Sequence, residues 1–123
     1  MKLTNHEMEQ MLGVLDKHLS RKDVIGYAVA RNVRILRNEL CEYFKVRDEL
    51  VMKYGEADVD EDGNPKGTVS LGFDSPKFAE FTDEIQRFAT IEHDPNLFKL
   101  KFEQAIGELS GSELLELEWM FED

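Results

Sequence analysis

Residues 24–54, VIGYAVARNVRILRNELCEYFKVRDELVMKY, form the longest patterned run in this 123-residue chain. The run contains no proline, and its apolar residues recur at spacings of four and three, interrupted only by Arg47. The apolar residues with this spacing are Val29, Val33, Leu36, Leu40, Tyr43, Leu50 and Tyr54. Because such spacing places one apolar stripe along a helix, the run predicts a single amphipathic helix that Gly55 ends. With about 28 to 30 helical residues at about 1.5 Å each, that helix would be roughly 42 to 45 Å long.

A shorter helix is expected before this run. Thr4 is followed three residues later by Glu7, which is the spacing of a capping box. The apolar residues after them recur at helical spacing, so a first helix is predicted over residues 5–19. The polar connector Ser20–Asp23 then separates the two helices, and either of its end residues could cap the long helix.

Two further helices are expected after the long one. Ser75 and Pro76 are typical of a helix start, and the third helix is predicted to end near Ala89. Its apolar face would consist of Phe78, Phe81, Ile85 and Phe88. Ser110 and Glu113 repeat the capping box before an apolar run, which predicts a terminal helix that includes Trp119, Met120 and Phe121.

The remaining segments predict little regular structure. Residues 56–72 concentrate acids and glycines and are expected to form a loop, within which residues 68–71 could belong to a short hairpin. Thr90–His93 and the alternation over residues 98–102 indicate two short strands around a turn at Asp94–Asn96, with their pairing left open. The chain is therefore expected to be one mostly α domain, in which shorter helices pack on a long central amphipathic helix. A small two-stranded β element would make the fold α+β.

The composition argues against several classes of partner. The chain has 15 Lys and Arg residues against 26 Asp and Glu residues, a formal net charge of −11. This charge repels phosphate backbones and anionic membrane surfaces, so neither direct nucleic-acid binding nor membrane association is expected. The start Met1–Thr4 carries no signal-peptide core, and no stretch approaches the roughly 18 apolar residues of a membrane span. The chain is therefore expected to stay in the cytoplasm.

No pattern in the sequence indicates catalysis, a cofactor or a metal site, so the chain is not expected to be an enzyme. Asp58–Gly63 resembles the first half of a calcium-binding loop, but Val69 takes the twelfth position, where such a loop needs a glutamate. A solvated acidic turn explains the run better. The lone Cys41 is expected to be buried, because it lies beside Leu40 and Tyr43. The chain has three histidines, His6, His18 and His93. They do not form a metal-binding pair.

Three groups of charged residues are candidates for contacts with a partner. The long helix carries a basic face of Arg31, Arg34 and Arg37, which either pairs with nearby acids or forms a docking site. An acidic stretch after the helix contains Glu56, Asp58, Asp60 and Asp62. The terminal helix contains Glu113, Glu116 and Glu118. Because no Lys or Arg follows Lys101, a basic partner is expected for these last acids, either the arginine face, a second copy or another protein.

Short segments along most of the chain, taken in order, carry a family resemblance. The segments are Met1–Thr4, Gly26–Asn32, Lys53–Glu56, Asp60–Asn64 and Leu114–Met120. Together they resemble a family of small proteins of unknown function that phages and prophages of Gram-positive bacteria encode. The resemblance implies a phage origin, and therefore the cytoplasm of a host cell, and it supplies no catalytic residues.

The leading hypothesis from the sequence is a non-enzymatic phage protein that binds other proteins, of phage or host, in virion assembly or host takeover. The alternative is an acidic inhibitor that imitates nucleic acid and blocks a host defence nuclease, as an anti-CRISPR or anti-restriction protein would. The long helix also presents more apolar length than the short helices can readily cover. An interface on it is therefore expected, with a homodimer as its simplest form.

Overall fold

Helix α2 runs from Val24 to Tyr54, so the computed structural model confirms the long helix predicted from the sequence. All 123 residues are described, and they form two compact units. Residues 1–40 and 92–123 make the first unit, and residues 41–91 make the second, so α2 contributes to both. The predicted α+β class is confirmed, whereas the single domain expected from the chain length stays a prediction. None of the helices is both long and apolar enough to cross a membrane.

Six of the seven residues of the predicted apolar stripe of α2 are buried, and the last, Tyr54, is half-buried. In the first unit, its buried members are Val29, Val33, Leu36 and Leu40. In the second unit, they are Tyr43 and Leu50. The uncovered stripe expected from the length of the helix is therefore not found. A homodimer stays a prediction, but the length of α2 no longer supports it.

Helix α1, Asn5–Asp16, begins at the predicted capping box. The Glu7 N–H donates to Thr4 Oγ1 at 3.1 Å, and the Thr4 N–H donates to Glu7 Oε1 at 3.1 Å. The helix ends earlier than predicted, because the three residues after it close tighter turns, in which each N–H bonds to the carbonyl three residues back. Leu19 is consequently exposed, and His18 is buried instead.

Two small sheets join distant parts of the first unit. Strand β1, Leu3–Thr4, pairs antiparallel with strand β4, Glu92–His93. Strand β5, Leu100–Lys101, pairs in parallel with strand β6, Phe121–Glu122. The two strands predicted in this region are therefore present as β4 and β5. They do not form a hairpin with each other, since each pairs with a segment near one end of the chain.

A buried side-chain amide fixes the segment between β4 and β5. Asn32 on α2 is fully buried. Its Nδ2 donates to the backbone oxygen of Phe98 at 3.0 Å, and the Phe98 N–H donates to its Oδ1 at 2.6 Å. These bonds engage both polar ends of the amide and both backbone groups of Phe98. The segment is thereby held against α2 and does not fold back on β4.

Helix α4, Gly111–Leu117, begins at the second predicted capping box. The Glu113 N–H donates to Ser110 Oγ at 3.2 Å, and the Ser110 N–H donates to Glu113 Oε1 at 3.0 Å. The helix is shorter than predicted, because Glu118–Met120 form a tighter turn and Phe121 already belongs to β6. The end of the chain is therefore a strand rather than a helix.

The second unit contains a β-hairpin in the stretch predicted to be mainly a loop: the hairpin considered at residues 68–71 is present but larger, and the loop expected over residues 56–59 is wrong. Strands β2, Glu56–Val59, and β3, Pro65–Ser70, pair antiparallel. Each strand has a single half-buried residue, so the alternation that identifies a strand in a sequence is missing. The turn between them contains Gly63 with a φ of 81°, a backbone conformation that favours glycine.

Helix α3, Phe78–Ala89, ends where the sequence predicted and begins three residues after Ser75. Its apolar face is only half-buried at Phe78, Phe81 and Ile85, and it is exposed at Phe88. Tyr54 Oη donates to Glu84 Oε1, and Lys53 Nζ donates to the same oxygen at 3.1 Å. These two bonds tie α3 to the end of α2 and hold the pKa of Glu84 below its ordinary value.

Cys41 is exposed, so the prediction of a buried cysteine is wrong. Leu40 and Tyr43 both occupy the buried stripe of α2. A residue adjacent to Leu40 lies roughly 100° around the helix axis from it. The side chain at position 41 therefore falls outside the stripe even though its neighbours belong to it.

Replacing Gly26 by Ala is expected to destabilise the fold, although the same change in most helices stabilises it. A Cβ atom at Gly26 would lie 2.1 Å from the backbone oxygen of Arg21, so the connector would have to move. We expect a loss of about 1 to 3 kcal/mol in the free energy of unfolding, as for an overpacked site. Urea denaturation followed by circular dichroism measures it.

Gly13 in α1 offers the matched control, because a Cβ atom there would meet nothing within 4 Å. Gly13→Ala should stabilise the chain by about 0.5 to 1 kcal/mol, the usual gain from replacing a helical glycine. If Gly26→Ala stabilised the chain by a similar amount, the close approach of Arg21 to α2 would be contradicted.

Candidate interaction surface

Arg21 joins three segments of the first unit. Its Nη2 donates to Asp23 Oδ2 at 2.6 Å and to the backbone oxygen of Glu108 at 3.2 Å. Its Nη1 lies 3.8 Å from Glu113 Oε2, in the first turn of α4. The guanidinium therefore holds the start of α2, the loop before α4 and α4 itself together. We call this set of contacts the Arg21 bridge.

Asp23 uses both carboxylate oxygens at the start of α2. Its Oδ1 accepts from the Gly26 N–H at 2.9 Å, a contact that caps the first turn of the helix. Of the two end residues of the connector, Asp23 is thus the cap rather than Ser20. The hydrogen bond from Arg21, followed by the one from Gly26, stabilises the ionised carboxylate and lowers the pKa of Asp23.

Two adjoining hollows open in this part of the first unit and share Glu103 and Ile106. The first has a volume of about 300 Å³ and is lined by Asp23, Val24, Ile25, Glu103, Gln104, Ile106 and Glu108. The second has a volume of about 320 Å³ and is lined by Lys101, Phe102, Glu103, Ile106 and Asp123. Apolar side chains in both are exposed, Val24 by 51% and Ile106 by 69%.

Tyr27 extends this apolar surface along α2. It lies one turn from Val24 and is 57% exposed, and its ring meets the Phe98 ring edge-on with the centroids 5.9 Å apart. The guanidinium carbon of Arg31 lies 5.2 Å from the centroid of the Phe98 ring, and its Nη1 donates to Tyr27 Oη at 3.4 Å. We call the apolar members of this surface the Tyr27 patch, which consists of Val24, Tyr27, Phe98, Phe102 and Ile106.

The Tyr27 patch has the chemistry of a protein-binding surface. Single exposed apolar residues are common, whereas adjoining ones that line hollows and have a polar rim mark interaction sites. Tyrosine and arginine are also enriched among the residues that dominate binding energy at interfaces. In contrast, no group of three or more His, Cys, Asp or Glu side chains in the chain is placed to hold a metal ion.

The three arginines predicted as a basic face all lie exposed on α2, but they differ in their contacts. Arg31 borders the Tyr27 patch. Arg37 Nη2 lies 3.7 Å from Asp16 Oδ1 at the end of α1. Arg34 makes no ion pair. The sequence left open whether these residues pair with acids or form a docking site; Arg37 takes the first role, and the docking role stays a prediction.

The acids of α4 find their basic partner in the tight turns that directly follow α1. Glu116 Oε2 lies 3.2 Å from Nε2 of the buried His18, and Glu116 Oε1 lies 3.6 Å from Lys17 Nζ. Glu113 Oε2 lies 3.7 Å from His18 Nδ1. The arginine face of α2 is therefore not the partner of these acids. Glu118 is exposed and makes no ion pair.

The other predicted acids lie on the hairpin of the second unit and are Glu56, Asp58, Asp60 and Asp62. Asp58 Oδ2 accepts from Thr68 Oγ1 at 2.6 Å and from Ser70 Oγ at 2.8 Å, and these bonds lower the pKa of Asp58. Asp60 Oδ1 accepts from the backbone N–H groups two and four residues further on, both at 2.9 Å. Two of the four acids therefore stabilise the hairpin and its exposed acidic turn.

Sequence reasoning missed the Tyr27 patch. Val24 and Tyr27 lie three residues apart and outside the buried stripe of α2, which was the available signal for a second apolar face. Phe102 belongs to the alternation that predicted a strand over residues 98–102, but it lies in a short turn after β5, and Ile106 lies in a loop that has no period. Only the fold brings these two pairs of residues together.

Comparison with known proteins found no matching family model, no matching curated protein and no matching solved structure.

Replacing Asp23 by Asn is expected to lower the free energy of unfolding at neutral pH. The fold holds the pKa of Asp23 below its ordinary value, so the ionised carboxylate stabilises the fold at any pH above that ordinary pKa. This stabilisation is lost as the pH falls through the lowered pKa. The difference in the free energy of unfolding between the parent chain and Asp23→Asn should thus be largest at neutral pH and shrink below about pH 4. Urea denaturation at a series of pH values measures the difference.

The matched control is Asp83→Asn on α3, because Asp83 is exposed and has neither a hydrogen bond nor an ion pair. This variant should follow the pH dependence of the parent chain. An unchanged profile for Asp23→Asn as well would mean that the Arg21 bridge does not stabilise the fold.

Proposed function

We propose that the chain is a non-enzymatic, phage-encoded protein-binding module that acts in host takeover or virion assembly. The observation that supports it best is the Tyr27 patch, an exposed apolar surface around two hollows. The resemblance of its short segments to small phage and prophage proteins supports the phage origin and a place in the host cytoplasm. The partner is accordingly a protein of the phage or of its host.

The energetics of the patch also favour a protein partner. Val24, Tyr27 and Ile106 are each more than half exposed, so a partner that covered them would remove apolar surface from water. The elements that carry them are fixed by the Arg21 bridge and by Asn32, so little order would have to be gained on binding. A preformed surface of this kind binds more tightly than a mobile one of equal area.

The second candidate is an acidic inhibitor that imitates nucleic acid, and the net charge of −11 favours it. Its carboxylates would occupy the positions of phosphates in the channel of a host nuclease. Several of the acids available for this role have contacts within the chain: Asp58 and Asp60 in the hairpin, and Glu113 and Glu116 beside His18. The carboxylates without an ion pair include those of Glu56, Asp62 and Glu118. The Tyr27 patch is therefore better supported than the acidic residues as the site that binds the partner.

Affinity capture from phage-infected cells tests the proposal, with the intact chain and the variant Ile106→Ser as baits. We expect at least one protein that the parent chain retains and the variant loses, because Ile106 is 69% exposed and its loss should not disturb folding. Leu115→Ser is the matched control, since Leu115 is 74% exposed and lines neither hollow. Circular dichroism would check that both variants keep the melting temperature of the parent.

Two results would go against a patch-based function. If the parent and Ile106→Ser captured identical sets of proteins, the Tyr27 patch would not be the binding site. A captured nuclease that is retained by Ile106→Ser but lost when Glu61 and Asp62 at the hairpin tip are replaced by Lys would favour the inhibitor instead.

A further inference from the structure

We propose that the hollow between Val24 and Ile106 binds a lysine or arginine side chain that a partner protein carries next to an apolar residue. This inference rests on the proposed protein-binding function and specifies the chemistry of the partner. Its occupant is a basic, partly apolar segment of another protein.

The apolar lining of the hollow suits the stem of a long basic side chain. Val24, Ile25 and Ile106 supply aliphatic surface within a volume of about 300 Å³. Lysine and arginine bury their methylene groups along such surfaces while the charged end stays at the polar rim. An apolar residue beside the basic one would then cover Tyr27 or Phe102, the neighbouring members of the patch.

The charge around the hollow determines the sign of the charge that a partner segment should carry. Three carboxylates line the hollow, those of Asp23, Glu103 and Glu108, and the one cation beside them is Arg21. Three negative charges and one positive charge leave an excess of two negative charges. The second hollow adds Asp123 and Lys101, one charge of each sign, so the excess is unchanged. An acidic segment would be repelled here, whereas a basic one is attracted.

Glu103 is the carboxylate best placed to receive the incoming charge. Asp23 already accepts from Arg21 at 2.6 Å, and Glu108 Oε2 lies 3.9 Å from the same guanidinium. Glu103 is exposed, lines both hollows and makes no ion pair within the chain. Binding a basic side chain at Glu103 would therefore break no ion pair within the chain.

A second copy of the chain is a poor occupant on the same argument. Two-fold pairing would bring the same surface from each copy together, and each brings an excess of two negative charges. Each copy also has a net charge of −11, so approach is opposed at long range. A basic partner meets neither obstacle.

The test uses a library of random peptides displayed on yeast and selected against the intact chain. We expect the enriched peptides to share a lysine or arginine next to an aliphatic or aromatic residue. Their dissociation constants are then measured by fluorescence anisotropy against the parent and its variants. Glu103→Lys should weaken binding by roughly tenfold, because the contact depends on opposite charges. For the same reason, raised salt should weaken binding of the peptides to the parent chain. Ile106→Ser should also weaken it by roughly tenfold.

Two matched controls separate the hollow from general effects. Glu61→Lys makes the same charge change at the tip of the hairpin, so it tests whether net charge alone explains binding. Leu115→Ser removes an equally exposed apolar side chain outside the hollows. Both should leave the dissociation constant within about twofold of the parent, the range of surface changes away from a contact.

The possible failures distinguish this inference from the proposed function. Peptides that lose binding to Ile106→Ser but bind Glu103→Lys normally would overturn the basic partner and leave the protein-binding patch intact. Peptides that bind both variants normally, or no enrichment at all, would count against both proposals. A dimer in light scattering that disappears with Ile106→Ser would make a second copy the occupant and overturn the inference.

Discussion

The amide of Asn32 satisfies both backbone groups of Phe98, and the arrangement of the first unit depends on this pairing. The side chain is fully buried on α2, where an unpaired amide would cost about 1 to 3 kcal/mol for each unsatisfied group. The two bonds run to the C=O and the N–H of a single residue, Phe98. Asn32 therefore fixes both the position and the conformation of the chain at Phe98.

The consequences of that pairing reach the candidate interaction surface. Phe98 is held where its ring meets Tyr27 and lies under Arg31, so the aromatic end of the Tyr27 patch is set by a buried polar contact. The chain then continues into β5 and the turn that carries Phe102 and Ile106. The Arg21 bridge fixes the other end of the patch by joining the start of α2 to Glu108. Two polar contacts thus position an apolar surface that sequence periodicity does not reveal.

Local signals in the sequence were sufficient for the full extent of α2 and for the starts of α1 and α4, but not for the ends of α1 and α4. The bounds of α2 and both capping boxes follow from residues within a few positions of each other, as with Thr4 and Glu7. Contacts between distant residues could not be predicted in this way. The pairing of β5 with β6 joins Leu100 to Phe121, and Glu116 meets His18 across most of the chain length. The full extent of the hairpin could not be predicted for a different reason, because each of its strands has only one half-buried residue and no alternation marks them in the sequence.

The measurement that tests this account most directly is the hydrogen-exchange rate of the Phe98 amide under native conditions. If Asn32 holds that amide, it should exchange only through global unfolding, with the protection seen for buried amides in the middle of α2. The comparison amide is that of Glu61, which lies at the exposed tip of the hairpin. Exchange of Phe98 as fast as that of Glu61, in a chain that is otherwise folded, would contradict the central role of the Asn32 pairing.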